Sequence, residues 1–166
     1  NETVNRIRIA SAAKRRHLRR TCMFDKFGEF GSSEELNKAA DGMLSEGDFD
    51  GVKALAKENG IDDADVDDYI KGDMKELSTP ITAALGRIDV QEKESKLPGN
   101  VKKVIYTIAK SMASSKPEIV MTNGKRLDEI YGVLRGMAEN SKSGSVGVAC
   151  GTDLDLMNII TNYLRS

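Results

Sequence analysis

VKKVIYTIAKSM, residues 101–112, is the stretch of this 166-residue sequence that most clearly predicts a helix. Its apolar residues recur at i, i+3, i+4, i+7, i+8 and i+11, the spacing of one helix face, and three lysines lie outside that face. Those apolar residues are Val101, Val104, Ile105, Ile108, Ala109 and Met112. A helix with one apolar face must pack against other elements, so the fold depends on what the flanking sequence supplies.

The flanking sequence predicts further helices. Ser33 before Glu34 and Glu35 is a helix start, and Thr79-Pro80 is another, because a capping hydroxyl and an N-terminal proline both favour the first turn. The expected helices are 3–23, 34–46, 50–59, 63–71, 80–90, 101–112, 127–138 and 154–164, the last with Asp153 as its cap. The sequence therefore predicts a mainly α, compact domain of about seven or eight mostly short helices, with at most a small two-stranded ribbon of residues 118–122 and 145–150.

Domain boundaries are predicted at composition changes. The charged run from Gln91 to Lys96, which leads into Leu97-Pro98-Gly99-Asn100, is the best linker candidate. The parts are a basic helix and hydrophobic turn at 1–31, an acidic helical module at 32–96 and a C-terminal helical module at 97–166; the alternative is a single domain.

Composition narrows the class of protein. Apolar residues make up 39% and charged residues 31%, as in soluble globular proteins. Trp is absent and Phe and Tyr number four each, which favours an aliphatic core and disfavours base stacking as a binding mode. No run of eighteen apolar residues is present, so no membrane span is expected. Cys22 and Cys150 match no metal or redox spacing, which predicts reduced thiols and a cytoplasmic protein.

Charge is strongly segregated along the chain. Residues 1–28 carry eight Lys or Arg against two Asp or Glu, residues 29–76 carry five against fifteen, and residues 77–166 carry twelve against nine. Arg outnumbers Lys six to one over residues 1–20, which favours phosphate as the partner because a guanidinium binds it through two donors. The candidate contact residues are Arg6, Arg8, Lys14, Arg15, Arg16, Arg19 and Arg20. Two interpretations stay open: contact with nucleic acid or an acidic protein, or pairing with the acidic middle of the same chain.

A second candidate surface is acidic. Five carboxylates within seven residues exceed what helix capping requires, which suggests a surface for a basic partner. They are Asp62, Asp63, Asp65, Asp67 and Asp68. Residues 46–51 resemble the opening of a calcium loop, but Lys57 stands at the twelfth position, where calcium needs a bidentate carboxylate. No metal and no cofactor is predicted.

No catalytic constellation is evident. The one histidine, His17, lies inside the basic run, where neighbouring cations would depress its pKa. The glycine-rich residues 144–151 lack the Lys-Ser/Thr of a nucleotide-binding loop and predict a turn. Cys150, among Gly and Val, predicts a small buried hydrophobe. We therefore expect no enzymatic activity.

Three short motifs carry a resemblance. Phe24 to Phe30, Glu34-Glu35-Leu36-Asn37 and Leu55 to Asp62 resemble small accessory proteins of gut Firmicutes mobile elements and phages. That group is similar to families that include anti-CRISPR proteins acting on type II RNA-guided nucleases. The resemblance implies a compact, non-enzymatic inhibitor that binds such a nuclease, its basic nucleic-acid channel or the nucleic acid itself. The alternatives are a DNA-binding regulator of a mobile element and a structural or assembly subunit.

Overall fold

The computed structural model describes residues 24–122 and 124–166. These residues form eight α-helices and one 3-10 turn, Leu127–Glu129, with no strand among them, which confirms the mainly α prediction. The helices are α1 (Ser33–Ser45), α2 (Phe49–Glu58), α3 (Asp63–Lys71), α4 (Pro80–Glu94), α5 (Gly99–Ser115), α6 (Pro117–Val120), α7 (Ile130–Asn140) and α8 (Asp153–Arg165).

Helix starts agree with the capping signals to within a residue. The side chain of Ser32, not Ser33, accepts the N–H of Glu35 at 3.3 Å. Thr152, not Asp153, is the N-cap of α8, and Thr79 caps α4 as expected. When two adjacent residues can both cap a helix, the sequence alone does not show which one is the N-cap. The structure does, because the N-cap is the residue with extended backbone.

The small ribbon that the sequence allowed does not form in the described residues. Residues 117–120 form α6, because Pro117 favours a first helical turn. Residues 145–150 form no strand, and the described chain contains there an isolated bridge between Ser143 and Val146. The hydroxyl of Ser141 receives the N–H of Val148 at 2.9 Å and donates to its carbonyl at 2.6 Å, so both backbone groups are taken.

The predicted linker is largely helix. α4 continues to Glu94 and α5 begins at Gly99, so four residues connect them. Lys110 of α5 forms ion pairs with Asp89 at 2.8 Å and Glu92 at 2.7 Å of α4. Glu92, a charged residue of the predicted linker, therefore connects α4 to α5 through an ion pair.

One cluster of buried apolar side chains extends from Leu36 to Leu164. α4 crosses the connection between α2 and α3 at a contact between backbones. A Cβ on Gly86 would lie 2.4 Å from the carbonyl oxygen of Asn59, and a Cβ on Gly60 would lie 2.4 Å from that of Gly86. Gly60 also has φ of +69°, where side chains are strained. This contact places the end of α2 and the start of α3 against the core.

Four residues on apolar helix faces that the spacing predicts to be buried are exposed. They are Ile81 of α4 at 42%, Val104 of α5 at 49%, Met137 of α7 at 40% and Leu154 of α8 at 64%. Ile81 and Leu154 lie in the first turns of their helices, where fewer neighbouring elements are available. We find no comparable packing reason for Val104 or Met137.

Candidate binding surfaces

The predicted basic contact residues lie outside the described residues, which begin at Phe24. They are Arg6, Arg8, Lys14, Arg15, Arg16, Arg19 and Arg20, and His17 and Cys22 lie in the same segment. We call residues 1–23 the basic segment; one Glu offsets its seven Lys and Arg, so its net charge is +6. The structure shows where this segment joins the helical body.

The junction is held at the end of α2. Glu58, the last residue of α2, accepts the backbone N–H groups of Lys26 and Phe27, both at 3.2 Å from Oε1. The ammonium of Lys26 lies 4.8 Å from the centre of the Phe27 ring. The first described residues are therefore attached beside the connection that leads from α2 into α3.

A second set of contacts, a largely buried charge cluster, holds the same turn. Arg87 of α4 donates to Glu29 Oε2 at 2.8 Å and to the Phe30 carbonyl at 3.2 Å. Arg126 also pairs with Glu29, and the N–H of Gly124 donates to it at 2.5 Å.

Phe24 completes this arrangement. It is 7% exposed, and the guanidinium groups of Arg87 and Arg126 lie 5.6 Å and 5.7 Å from its ring centre. Both distances suit cation–π contacts. We call Phe24, Glu29, Arg87, Gly124 and Arg126 the Glu29 cluster.

The Glu29 cluster favours the ionised carboxylate. Burial alone would raise the pKa of Glu29, but the hydrogen bond from Gly124 and the positive charges of Arg126 and Arg87 outweigh burial and lower that pKa below its usual value. The cluster therefore stabilises the fold when Glu29 is charged.

Acid should remove this stabilisation. A depressed folded-state pKa gives stability that is present above the unfolded pKa of about 4.5 and is lost as pH falls through the folded value. We expect Glu29→Gln to lower the free energy of unfolding at neutral pH and to flatten its decline in acid. Urea denaturation from about pH 7 to pH 3 measures both. Parallel curves for the two proteins would contradict this role.

The five predicted acidic residues lie together on α3. Asp62 is its N-cap and accepts the N–H of Ala64 at 2.9 Å, and the other four lie within the helix. Val66 and Tyr69 face the core at 2% exposure each, and the Tyr69 hydroxyl donates to Asp41 of α1 at 2.6 Å. Asp62, Asp63 and Asp67 are exposed, whereas Asp65 and Asp68 are partly buried.

The acidic surface extends onto α2. Residues 46–73, which we call the acidic helix pair, contain ten Asp or Glu against three Lys and so carry a net charge of −7. Two ion pairs join described residues there, Lys53 to Asp67 and Lys71 to Asp68, each at 3.7 Å with both side chains about half exposed or more. Pairs of that length and exposure neutralise little of the charge.

A third surface is apolar and lies on α7, α8 and the loop between them. Val146 and Val148 are 66% and 61% exposed, although Ser141 holds the loop in place through Val148. Beside them is a concavity of about 460 Å³. Its lining residues are Met137, Val148, Ala149, Cys150, Gly151, Asp155, Asn158 and Ile159. Cys150 is partly buried and packs against the core, so the predicted small buried hydrophobe is confirmed in part.

The described residues contain neither a candidate metal site nor a candidate membrane-spanning helix. In residues 24–122 and 124–166, no group of three or more His, Cys, Asp or Glu is placed to hold a metal ion. In the same part of the chain, no helix combines the length and apolar character that a membrane crossing needs.

Sequence reasoning missed the Glu29 cluster. The available signal was in α4, where Arg87 and Gln91 follow the buried Ala83 at i+4 and i+8 and therefore share its inward stripe. The partner Glu29 is 58 residues from Arg87, and no local pattern connects them. The exposure of Val146 and Val148 could not be predicted, because a glycine-rich stretch that fits either a turn or a short strand gives no periodicity from which exposure can be read.

Comparisons with models of protein families, with curated proteins and with solved structures find no match to this chain.

Proposed function

We propose that this chain is a non-enzymatic binding protein whose basic segment contacts the phosphates of a nucleic acid, either free or held by a nucleic-acid-binding protein. The observation that carries the proposal is charge segregation. The basic segment has a net charge of +6 and residues 24–166 have a net charge of −7. Within the basic segment one Glu offsets seven Lys and Arg, so most of these cations have no acidic residue near them in the sequence.

The way in which the basic segment is attached supports this role. Glu58 and the Glu29 cluster hold residues 24–31 on two sides. Attachment at one defined place limits how far the arginines can lie from the helical body, because chain length sets their reach. Phosphate contact through Arg requires no catalytic group, and the sequence offers no nucleophile with a plausible base.

The finer proposal is an inhibitor of the anti-CRISPR type that acts on an RNA-guided nuclease. It rests on the resemblance carried by residues 24–30, 34–37 and 55–62 and on the same charges, because such nucleases hold nucleic acid in a strongly basic channel. The acidic helix pair would fit the channel and the basic segment would fit the nucleic acid. The apolar surface on α7 and α8 adds an area suited to a protein partner.

A DNA-binding regulator is less well supported. α2 and α3 are joined by four residues that include Gly60, as in a helix-turn-helix. In that motif the second helix enters the major groove. Here the second helix carries Asp63, Asp65, Asp67 and Asp68 against one lysine, so phosphates would repel it.

The test reverses the charge of Arg15, Arg16, Arg19 and Arg20 together. We expect the fourfold Glu variant to lose nucleic-acid binding, and we expect wild-type binding to weaken steeply with salt, with a slope of about −3 to −4 in log K against log salt, because each neutralised phosphate releases about one counterion. The matched control reverses Lys93, Lys96, Lys103 and Lys116, which are exposed and give the same change in net charge.

Gel shifts on the purified protein, and pull-downs from a cell extract with and without nuclease, give the readout. A protein partner that survives nuclease treatment supports the inhibitor, and a shift with DNA alone supports the regulator. Equal binding by the arginine variant and the wild type would contradict the proposal. A large oligomer with neither kind of partner would instead favour the assembly subunit.

A further inference from the structure

We propose that the outer face of the acidic helix pair is a docking site for the basic segment of the same chain, and that nucleic acid competes with this face for the arginines. The proposal rests on the proposed function, since the competitor is the nucleic acid assigned above. It adds a regulatory contact that holds the basic segment on the body until a partner displaces it.

The point of attachment supports the docking. The described chain begins at Phe24, and two residues later its backbone is bound to Glu58 at the end of α2. Asp62, the N-cap of α3, follows Glu58 after three residues. The basic segment therefore joins the body at the junction of the two acidic helices. A short tether of this kind gives a local concentration in the millimolar range, so weak contacts are enough for occupancy.

Charge identifies the face. The basic segment carries +6 and the acidic helix pair carries −7, whereas residues 77–166 carry +3 and would repel it. The two lysine pairs within the acidic face, at 3.7 Å, are long and exposed and leave most of its carboxylates available to further cations. The outer side of α3 is not covered by another described helix, since Asp62, Asp63 and Asp67 are exposed.

The lengths are compatible. Arg15 to Arg20 lie four to nine residues before Phe24. At between about 1.5 Å per residue for helix and about 3.3 Å for extended chain, they reach roughly 6 to 30 Å from it. The nine residues of α3 span about 14 Å. The reach of the arginines is therefore comparable with the length of α3.

Two roles of the acidic face predict opposite changes in binding when its charge is removed. If the acidic face competes with nucleic acid, neutralising it should strengthen nucleic-acid binding. If the face is instead the surface that binds the partner, neutralising it should weaken partner binding. The direction of the change separates these roles.

The experiment neutralises Asp63, Asp67 and Asp68 to Asn in the full chain. These residues are not N-caps, so α3 should still form. The matched control changes Glu118, Glu139 and Asp153, which are exposed acids of the C-terminal half, to Gln or Asn. Carbodiimide crosslinking reports docking without any nucleic acid, because Lys14 is the lysine of the basic segment and can couple to a nearby carboxylate.

We expect crosslinks from Lys14 to residues 46–73 in the wild type and the control at low salt, and their loss at about 1 M salt, where screening acts within about 3 Å. We expect the triple Asn variant to bind a labelled DNA duplex of about 20 base pairs at least threefold more tightly at low salt than the control. Absence of these crosslinks overturns the docking, and unchanged affinity overturns the competition. Crosslinks in a protein that binds no nucleic acid would support the docking and overturn the proposed function.

Discussion

Replacing Arg87 by alanine is expected to lower the free energy of unfolding by about 3 kcal/mol, because it removes one of the two guanidinium partners of the largely buried Glu29 carboxylate and leaves Arg126 and the Gly124 N–H as its remaining partners. The Arg87 side chain is 4% exposed and the Glu29 side chain 15% exposed. The same substitution removes the donor to the Phe30 carbonyl and one of the two cations beside Phe24. Chemical denaturation measures the loss.

Two further variants separate charge from packing. Arg87→Met combined with Glu29→Gln removes both charges and should recover part of the lost stability, since a neutral pair has a smaller desolvation cost. Arg135→Ala is the surface control. Arg135 pairs with Glu139 at 3.7 Å with both side chains more than half exposed, so its loss should change stability by less than about 0.5 kcal/mol. Equal effects of Arg87→Ala and Arg135→Ala would show that the cluster contributes nothing special.

Loss of Arg87 should also loosen the attachment of the basic segment to the body. Arg87 and Glu58 hold different parts of residues 24–31, so without Arg87 the junction beside α3 keeps only the Glu58 attachment and the contacts of Glu29 with Arg126 and Gly124. A looser junction lowers the local concentration of the arginines at the acidic helix pair. The stability of the cluster and the docking proposed above are therefore physically connected.

Helices were predictable because their signals are local. α3 is Asp63–Lys71 in both the prediction and the structure, since its acidic start and Gly72 at its end are signals within one turn of each boundary. The possible strand at residues 118–122 was not found, and the reason is related. Ile119, Val120 and Met121 are all at most 6% exposed, and a short run buried on all sides gives no periodicity that separates helix from strand.

The candidate surfaces were predictable only in part. The acidic residues of α3 could be found because charge and spacing are visible in the sequence. The attachment at Glu58 could not, since the bond joins a carboxylate to backbone N–H groups 31 and 32 residues away, and backbone donors have no sequence signature. The close approach of Gly86 to residues 59 and 60 was equally invisible, because an isolated glycine in a helical pattern usually signifies only lower helix propensity.

Gly86→Ala is expected to destabilise the protein by about 3 kcal/mol, although alanine is the better helix former. The new Cβ would lie 2.4 Å from the carbonyl oxygen of Asn59 and 2.9 Å from that of Gly60. Both are backbone atoms, so no side-chain rotation relieves the overlap, and α4 must move away from the α2–α3 connection.

Gly42→Ala is the matched control for this prediction. Gly42 lies within α1, and a Cβ there would meet no atom within 4 Å, so the gain in helix propensity of about 0.5–1 kcal/mol should appear as higher stability. If Gly86→Ala lowers stability and Gly42→Ala raises it, the contact of Gly86 with the backbone of residues 59 and 60 is the cause of the difference. Thermal and urea denaturation of both variants provide the measurement, and a Tm for Gly86→Ala at or above that of the wild type would show that α4 does not need this close approach. Because the contact positions Glu58 and Asp62, Gly86→Ala should also weaken the Lys14 crosslinks below its Tm, whereas Gly42→Ala should leave them intact.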